Sequence, residues 1–313
     1  MTDVAADDAT EASGGTVQQS GWVQFGLAIA AFVSMVGAGL YASGGDPFEA
    51  GTLGGAQWRG ALAYAGALMA IILAHEAGHY VMARKVGMEV SRPYLLPGLG
   101  PLPGLGVVPF FGTFGAFIKM GWTTIRPGQL VKVAGWGPIA GFVPTAGAVV
   151  VGIYLSEPVP LEGDELMLLG DSLIMVGATE LFHSDMKAHE ELYLHPIGLA
   201  GWVGCLLTAL NLLPLGQLDG GHLVYAYGRE RAYWVSRVLF GGMLVLGMLI
   251  FPGWLILGAL IWWLGLDHPP VLKEDASVDH HWITVACAII FVLTFSPQPV
   301  VVDGLPQWLE NWF

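Results

Sequence analysis

Residues 60–85 read GALAYAGALMAIILAHEAGHYVMARK. No Asp, Glu, Lys or Arg occurs from 60 to 75, and the next basic residues are Arg84 and Lys85. A helix needs roughly 20 mainly apolar residues to cross the hydrocarbon core of a bilayer, so the stretch 60–84 predicts a transmembrane helix. Two histidines and a glutamate stand at its end, where ionisable groups are costly unless they are paired or functional.

The same pattern recurs outward from this segment. Further charge-free runs span 12–45, 93–118, 133–156, 193–218, 238–266 and 282–302. A large soluble core would need amphipathic faces across these runs, and they are missing. Hydrophobic residues make up 54% of the chain and charged residues 12%, against about 25% charged in soluble domains. The 313 residues are enough for one helical membrane domain with little left for a separate soluble one. Helices are expected near 23–43, 60–84, 133–155, 196–214 and 282–298. The run 238–266 reads as two short helices about a turn at FPGW, 251–254. An interfacial or partly inserted helix is expected near 166–182. The fold class is therefore an all-α polytopic membrane protein with about six or seven transmembrane helices.

Residues 93–118 break the pattern. They are apolar but crowded with Pro and Gly, which suits a straight helix poorly. VVPFFGTFGAFIKM, 107–120, reads as two short strands around Gly112–Gly115. Arg84, Lys85 and Arg92 precede the segment; Lys119, Arg126 and Lys132 follow it. By the positive-inside rule both flanks face the cytoplasm, so the segment should dip into the membrane and return as a β-hairpin-like element. Irregular backbone survives at that depth only where protein or a wet cavity satisfies it, which points to the lining of a site. Orientation by charge places Arg229, Arg231 and Arg237 on the same side and both motifs discussed below near cytoplasmic helix ends.

The net charge of −13 argues against a nucleic-acid partner, which calls for a basic patch. An acidic surface suits a salt-rich cytoplasm, so the cell membrane of a salt-adapted prokaryote is the expected setting. Cys205 and Cys287 lie in apolar runs without CxxC spacing and read as buried thiols. Residues 1–20 read as a disordered acidic tail carrying Asp3, Asp7, Asp8 and Glu11. That tail has no basic n-region, and a cleaved secretory signal is not expected.

The chemistry starts at HEAGH, 75–79. His75 and His79 are four apart and share one helical face. Zinc takes imidazole nitrogens at about 2.0–2.1 Å, and a hydrolytic site uses three protein ligands with one position left for water. Glu76 is placed to reach that water as a base without filling the coordination shell. The third ligand is expected to be Asp219, within NLLPLGQLDGGH at 211–222. Asp219 is the only acidic residue between Glu191 and Glu230. Pro214 and Gly216 break the preceding helix, and Gly220 and Gly221 allow tight backbone approach beyond it. The Asn211 amide either holds a substrate carbonyl or makes a structural helix–helix hydrogen bond. His222 reads as a supporting or interface residue. His183, His189, His195, His268, His280 and His281 read as structural or solvated.

Together these residues resemble the site-2 protease family of intramembrane zinc metalloproteases, peptidase family M50. HEAGH matches that family's zinc-and-base motif, and Asn211, Pro214, Asp219 and Gly220 match its Asn-x-x-Pro and Asp-Gly motif. GTFGAF at 112–117 and the run 201–222 look most like the archaeal and chloroplast-type branch. No inserted domain of about 80–100 residues, such as a PDZ domain, separates the motifs. The resemblance implies a transmembrane metalloprotease domain over 21–298, with its catalytic core about 60–225, the re-entrant segment about 93–118 and a short tail at 299–313. It implies one Zn2+ per chain, held by His75, His79 and Asp219, with Glu76 and Asn211 as catalytic residues. The expected substrates are single-span membrane proteins within the lipid bilayer. The strand-like segment 107–118 is expected to pair with an unwound substrate stretch. The competing readings are a metal transporter or a non-proteolytic membrane scaffold using the same His–His–Asp set.

Overall fold

The computed structural model of the chain describes residues 21–302 apart from 47, 50, 99–108, 121–124, 161–166, 188 and 269–276. The expected acidic tail at 1–20 and most of the tail at 299–313 lie outside the described residues. Within them the chain forms nine α-helices: α1 (Gly21–Ala42), α2 (Gly55–Lys85), α3 (Pro127–Tyr154), α4 (Leu173–Phe182), α5 (Pro196–Leu212), α6 (Asp219–Ala226), α7 (Arg229–Leu249), α8 (Gly253–Leu264) and α9 (His281–Thr294). Four of these, α1, α2, α3 and α7, are long and apolar enough to cross a membrane; α4, α5, α8 and α9 are shorter apolar helices. The chain is an all-α, multi-pass integral membrane protein.

The boundaries follow local chemistry. Proline opens α3 and α5 at the first helical position, where its missing N–H costs nothing. Arg84 and Lys85 close α2, where cations complement the C-terminal partial charge. The expected turn at 251–254 falls at Ile250–Pro252 between α7 and α8. In one respect the charge pattern misled: α7 begins at Arg229, nine residues before its charge-free run, because the basic first turns are helical too.

Helices α2, α3 and α5 pack against one another as the centre of the bundle. One buried cluster joins α1, α2, α3, α4 and α5 around Tyr64, Leu68, Val149 and Trp202. A second joins the end of α2, the start of α3, α6 and α9 around Leu130, Val133, Leu223 and Ile283. His75 and His79 lie on α2 between the residues it gives to the two clusters. Small residues set the α3–α5 spacing, because close backbone contact is what binds helices where lipid is as apolar as the side chains. A Cβ built at Gly201 falls 2.7 Å from the Val149 backbone nitrogen.

Among the described residues three two-stranded pieces join the helices: β1 (Tyr94–Pro97) with β2 (Thr113–Phe117), β3 (Glu157–Pro160) with β5 (Glu190–Tyr193), and β4 (Met167–Leu169) with β6 (Val300–Val302). The β1–β2 ladder corrects one expectation. Among the described residues of 107–120 the strand is Thr113–Phe117, and its antiparallel partner is the upstream Tyr94–Pro97. Residues 109–112 form a 3-10 turn, with Phe111 and Gly112 at φ 50° and 81°. Pro109 has no N–H for a ladder, and that left-handed turn redirects the chain before β2. The ladder packs on α1, where the Ser34 hydroxyl donates to the Gly98 carbonyl at 2.8 Å.

Replacing Gly201 by Val should force α3 and α5 apart and lower stability by about 1–3 kcal/mol, the usual cost of overpacking. Gly147→Ala, where a Cβ meets nothing within 4 Å, should leave stability within about 0.5 kcal/mol. Unfolding of the purified protein in detergent, followed by helical circular dichroism, measures both.

Candidate metal centre

The C-terminal half of α2 carries His75 and His79 one turn apart, both buried and facing α3. The facing residues on α3 are Gly137 and Gly141, again four apart. A Cβ on Gly141 would lie 2.9 Å from the His75 Cβ, and one on Gly137 would collide with the His79 ring, 2.0 Å from its Nε2. The two glycines are thus the recess that seats the two imidazoles. The signal available in the sequence was GWGPIAG, 135–141, two of whose glycines share the spacing of four that separates the histidines.

The third group arrives from a separate part of the chain. Helix α5 stops at Leu212, and the chain turns through residues 213–218 with Gly216 at φ 50°. The turn delivers Asp219 as the first residue of α6, a short helix that is not among those expected from the charge-free runs. Asp219 Oδ2 lies 3.2 Å from His75 Nε2 and 3.3 Å from His79 Nε2. The two Nε2 atoms are 3.0 Å apart. These residues form the one group of three His, Cys, Asp or Glu side chains able to hold a metal ion among the described residues.

Two observations fit a metal to this triangle. His79 Nδ1 is 2.8 Å from the Val133 carbonyl. A carbonyl only accepts, so Nδ1 carries the proton and donates, and the neutral ring turns an Nε2 lone pair to the centre. That lone pair faces a carboxylate oxygen and a second ring nitrogen, an arrangement that repels itself unless a proton or a metal ion sits among the three. Tetrahedral zinc with bonds of about 2.0–2.1 Å spaces its ligand atoms by roughly 3.3–3.4 Å; the three distances here fall close to that spacing.

Glu76 is buried beside His75, with 5% of its surface exposed. Asn211 stands half-buried in the last turn of α5 and is not one of the three converging groups. His222 is buried one turn after Asp219 and hydrogen-bonds to His268. His268 was expected to be structural or solvated, so its contact with a neighbour of the cluster is a finding of the tertiary structure. Of the other histidines, His183 bonds the Ile153 carbonyl at 2.8 Å and His195 caps α5, as structural residues do.

Fold and cluster together define a multi-pass membrane protein with a buried His–His–Asp group capable of binding a metal ion. A family profile described as Peptidase family M50 matches residues 63–246, which takes in both motifs. The chain belongs to this family, the zinc metalloproteases that include the site-2 proteases. It is similar to the probable zinc metalloprotease EGY2, chloroplastic, of Oryza sativa subsp. indica, with 29% identity over 243 residues, 75% of this chain and 42% of that protein. The Arabidopsis thaliana protein of the same name is 27% identical over 241 residues, 74% of this chain and 40% of that protein. The Arabidopsis probable zinc metalloprotease EGY1, chloroplastic, is 31% identical over 198 residues, 60% of this chain and 34% of that protein. The chain thus spans less than half the length of these relatives. No solved structure matches.

Gly137→Ala should displace the His79 ring and weaken zinc binding at least about 10-fold, the low end of what disturbing a ligand's support costs. Gly147→Ala on the same helix should bind as wild type does. Equilibrium competition against a zinc chelator reads both values.

Proposed function

We propose that this chain is an intramembrane zinc metalloendopeptidase that hydrolyses peptide bonds in the transmembrane segments of single-span membrane proteins. The observation that carries the reading is the convergence of His75 Nε2, His79 Nε2 and Asp219 Oδ2 at the end of a long apolar helix, in a chain of the M50 family. His75, His79 and Asp219 are the ligands, one Zn2+ per chain. Bound there, zinc supplies Lewis acidity to the attacking water and to the scissile carbonyl. Glu76 takes the proton of that water as general base and hands it to the leaving amine. Asn211 donates from its side-chain amide to the carbonyl oxygen as negative charge develops.

The placement of this chemistry follows from charge and topology. The bundle has six or seven transmembrane helices in all, with α5, α8 and α9 joining the four long spans. Arg84, Lys85, Arg92, Lys119 and Arg126 share one end of it, where the Ser91 N–H donates to the Lys119 carbonyl and Val90 bridges Met120. In a membrane protein that end is cytoplasmic, so the site lies nearer the cytoplasm, and 93–118 dips into the membrane from that side. The domain extends over 21–298 in the cell membrane of a salt-adapted prokaryote, the setting its acidity suits. A substrate helix hides its carbonyls in hydrogen bonds and must unwind before attack; the β1–β2 ribbon offers it backbone to pair with.

Purified wild type should cleave a single-span model substrate in detergent and carry close to one zinc per chain. Glu76→Gln should keep the zinc and lose about 10²–10⁴-fold in rate, the range for a missing general base. Zinc in both proteins with no cleavage in either would favour a scaffold. Folded wild type with no zinc would overturn the site.

A further inference from the structure

The segment Gly265–His268, between α8 and α9, lies beyond the residues matched to the family profile and is fastened to the part of the chain that carries Asp219. The Gly265 carbonyl lies against Gly216, in the turn before α6. Asp267 pairs with Arg237 of α7 at 3.2 Å, and the Arg237 guanidinium rests 3.4 Å from the centre of the Tyr233 ring. The His268 ring stacks on Tyr225 of α6 with centroids 4.0 Å apart and planes 17° apart. Its Nε2 meets Nδ1 of the buried His222. A cavity of about 200 Å3 separates this segment from Ala232 and Ser236 of α7. Leu266 packs against the buried cluster that contains Leu215 and Met243, and the contacts of Asp267 and His268 hold the segment in place beside it.

These contacts bear on the metal ligand because of how α6 is built. It has only eight residues and no side-chain cap at its start, and a helix of that length has little stability of its own. Asp219 is its first residue, and His222 is one turn on, an adjacent position on the helix surface. Fixing the His222 ring fixes the rotation of α6 about its axis, and that rotation decides where the Asp219 carboxylate points.

We propose that His268 is a positioning residue for the metal centre, holding α6 through its hydrogen bond to His222 so that Asp219 stays aimed at His75 and His79. The inference rests on the proposed zinc site. Two substitutions separate the hydrogen bond from the ring stack: His268→Phe keeps a ring on Tyr225 and loses the bond, whereas His268→Gln keeps a donor and acceptor and loses the ring. Zinc affinity is measured for the full chain in detergent, without substrate, by competition with a chelator. His268→Phe should bind about 10- to 100-fold more weakly than wild type, the usual effect of losing a ligand's supporting contact. His268→Gln should stay close to wild type. Equal affinity in His268→Phe and wild type overturns the inference alone, and so does equal loss in both variants, since the ring stack would then account for it. Folded wild type that binds no zinc overturns the proposed function and this inference together. If His268→Phe does not fold, His268→Met, which fills the volume without a donor, takes its place with the same expected loss.

Discussion

Three electron-rich atoms held in mutual contact away from bulk water are the constraint around which this bundle is arranged. His75 Nε2, His79 Nε2 and Asp219 Oδ2 lie 3.0–3.3 Å from one another, and they repel unless a proton or a metal ion is shared among them. Such a group persists only if the surrounding backbone fixes each side chain separately. The two histidines come from adjacent turns of a 31-residue helix, so their spacing is as rigid as the helix itself. The carboxylate comes from a short helix entered by a turn, and its position depends on what α6 packs against.

Helix α3 is the element that makes both halves meet. It packs on α2, α5, α6 and α9, and at the metal-binding level it presents Gly137 and Gly141 to the imidazoles and the Val133 carbonyl to His79 Nδ1. Small residues here serve two ends at once. They bring helices close where no hydrophobic driving force separates protein from lipid, and they leave room for rings that would otherwise have no space between packed helices. A carbonyl of the same helix fixes one tautomer, a supporting contact of the kind that tunes a metal ligand.

Much of the layout was legible from residue order, because each such signal is local. Charge-free runs gave the helices, since a bilayer penalises every charge in its core. His75 and His79 gave a shared face by the helical period alone, and proline with glycine after Asn211 gave the end of α5. What was misread concerned pairing between distant segments. GTFGAF was recognised as strand-like, but its partner Tyr94–Pro97 lies beyond the intervening residues 98–112, and no local pattern states which strand it meets. His268 read as structural or solvated, and which of the two it is could not be told locally, because its neighbours His222 and Tyr225 are more than 40 positions away.

The sequence by itself determined the class of the protein, a multi-pass membrane chain, and the residue types that converge on one metal-binding group. Hydropathy and helical periodicity act over a few turns and need no knowledge of the rest of the chain. Only the tertiary structure decided that Asp219 reaches the two histidines, that Gly137 and Gly141 seat their rings, and that the segment after α8 closes on α6. Those outcomes depend on which helices pack together and at what rotation. Packing is a property of the whole bundle, set by the summed fit of many side chains rather than by any segment read alone.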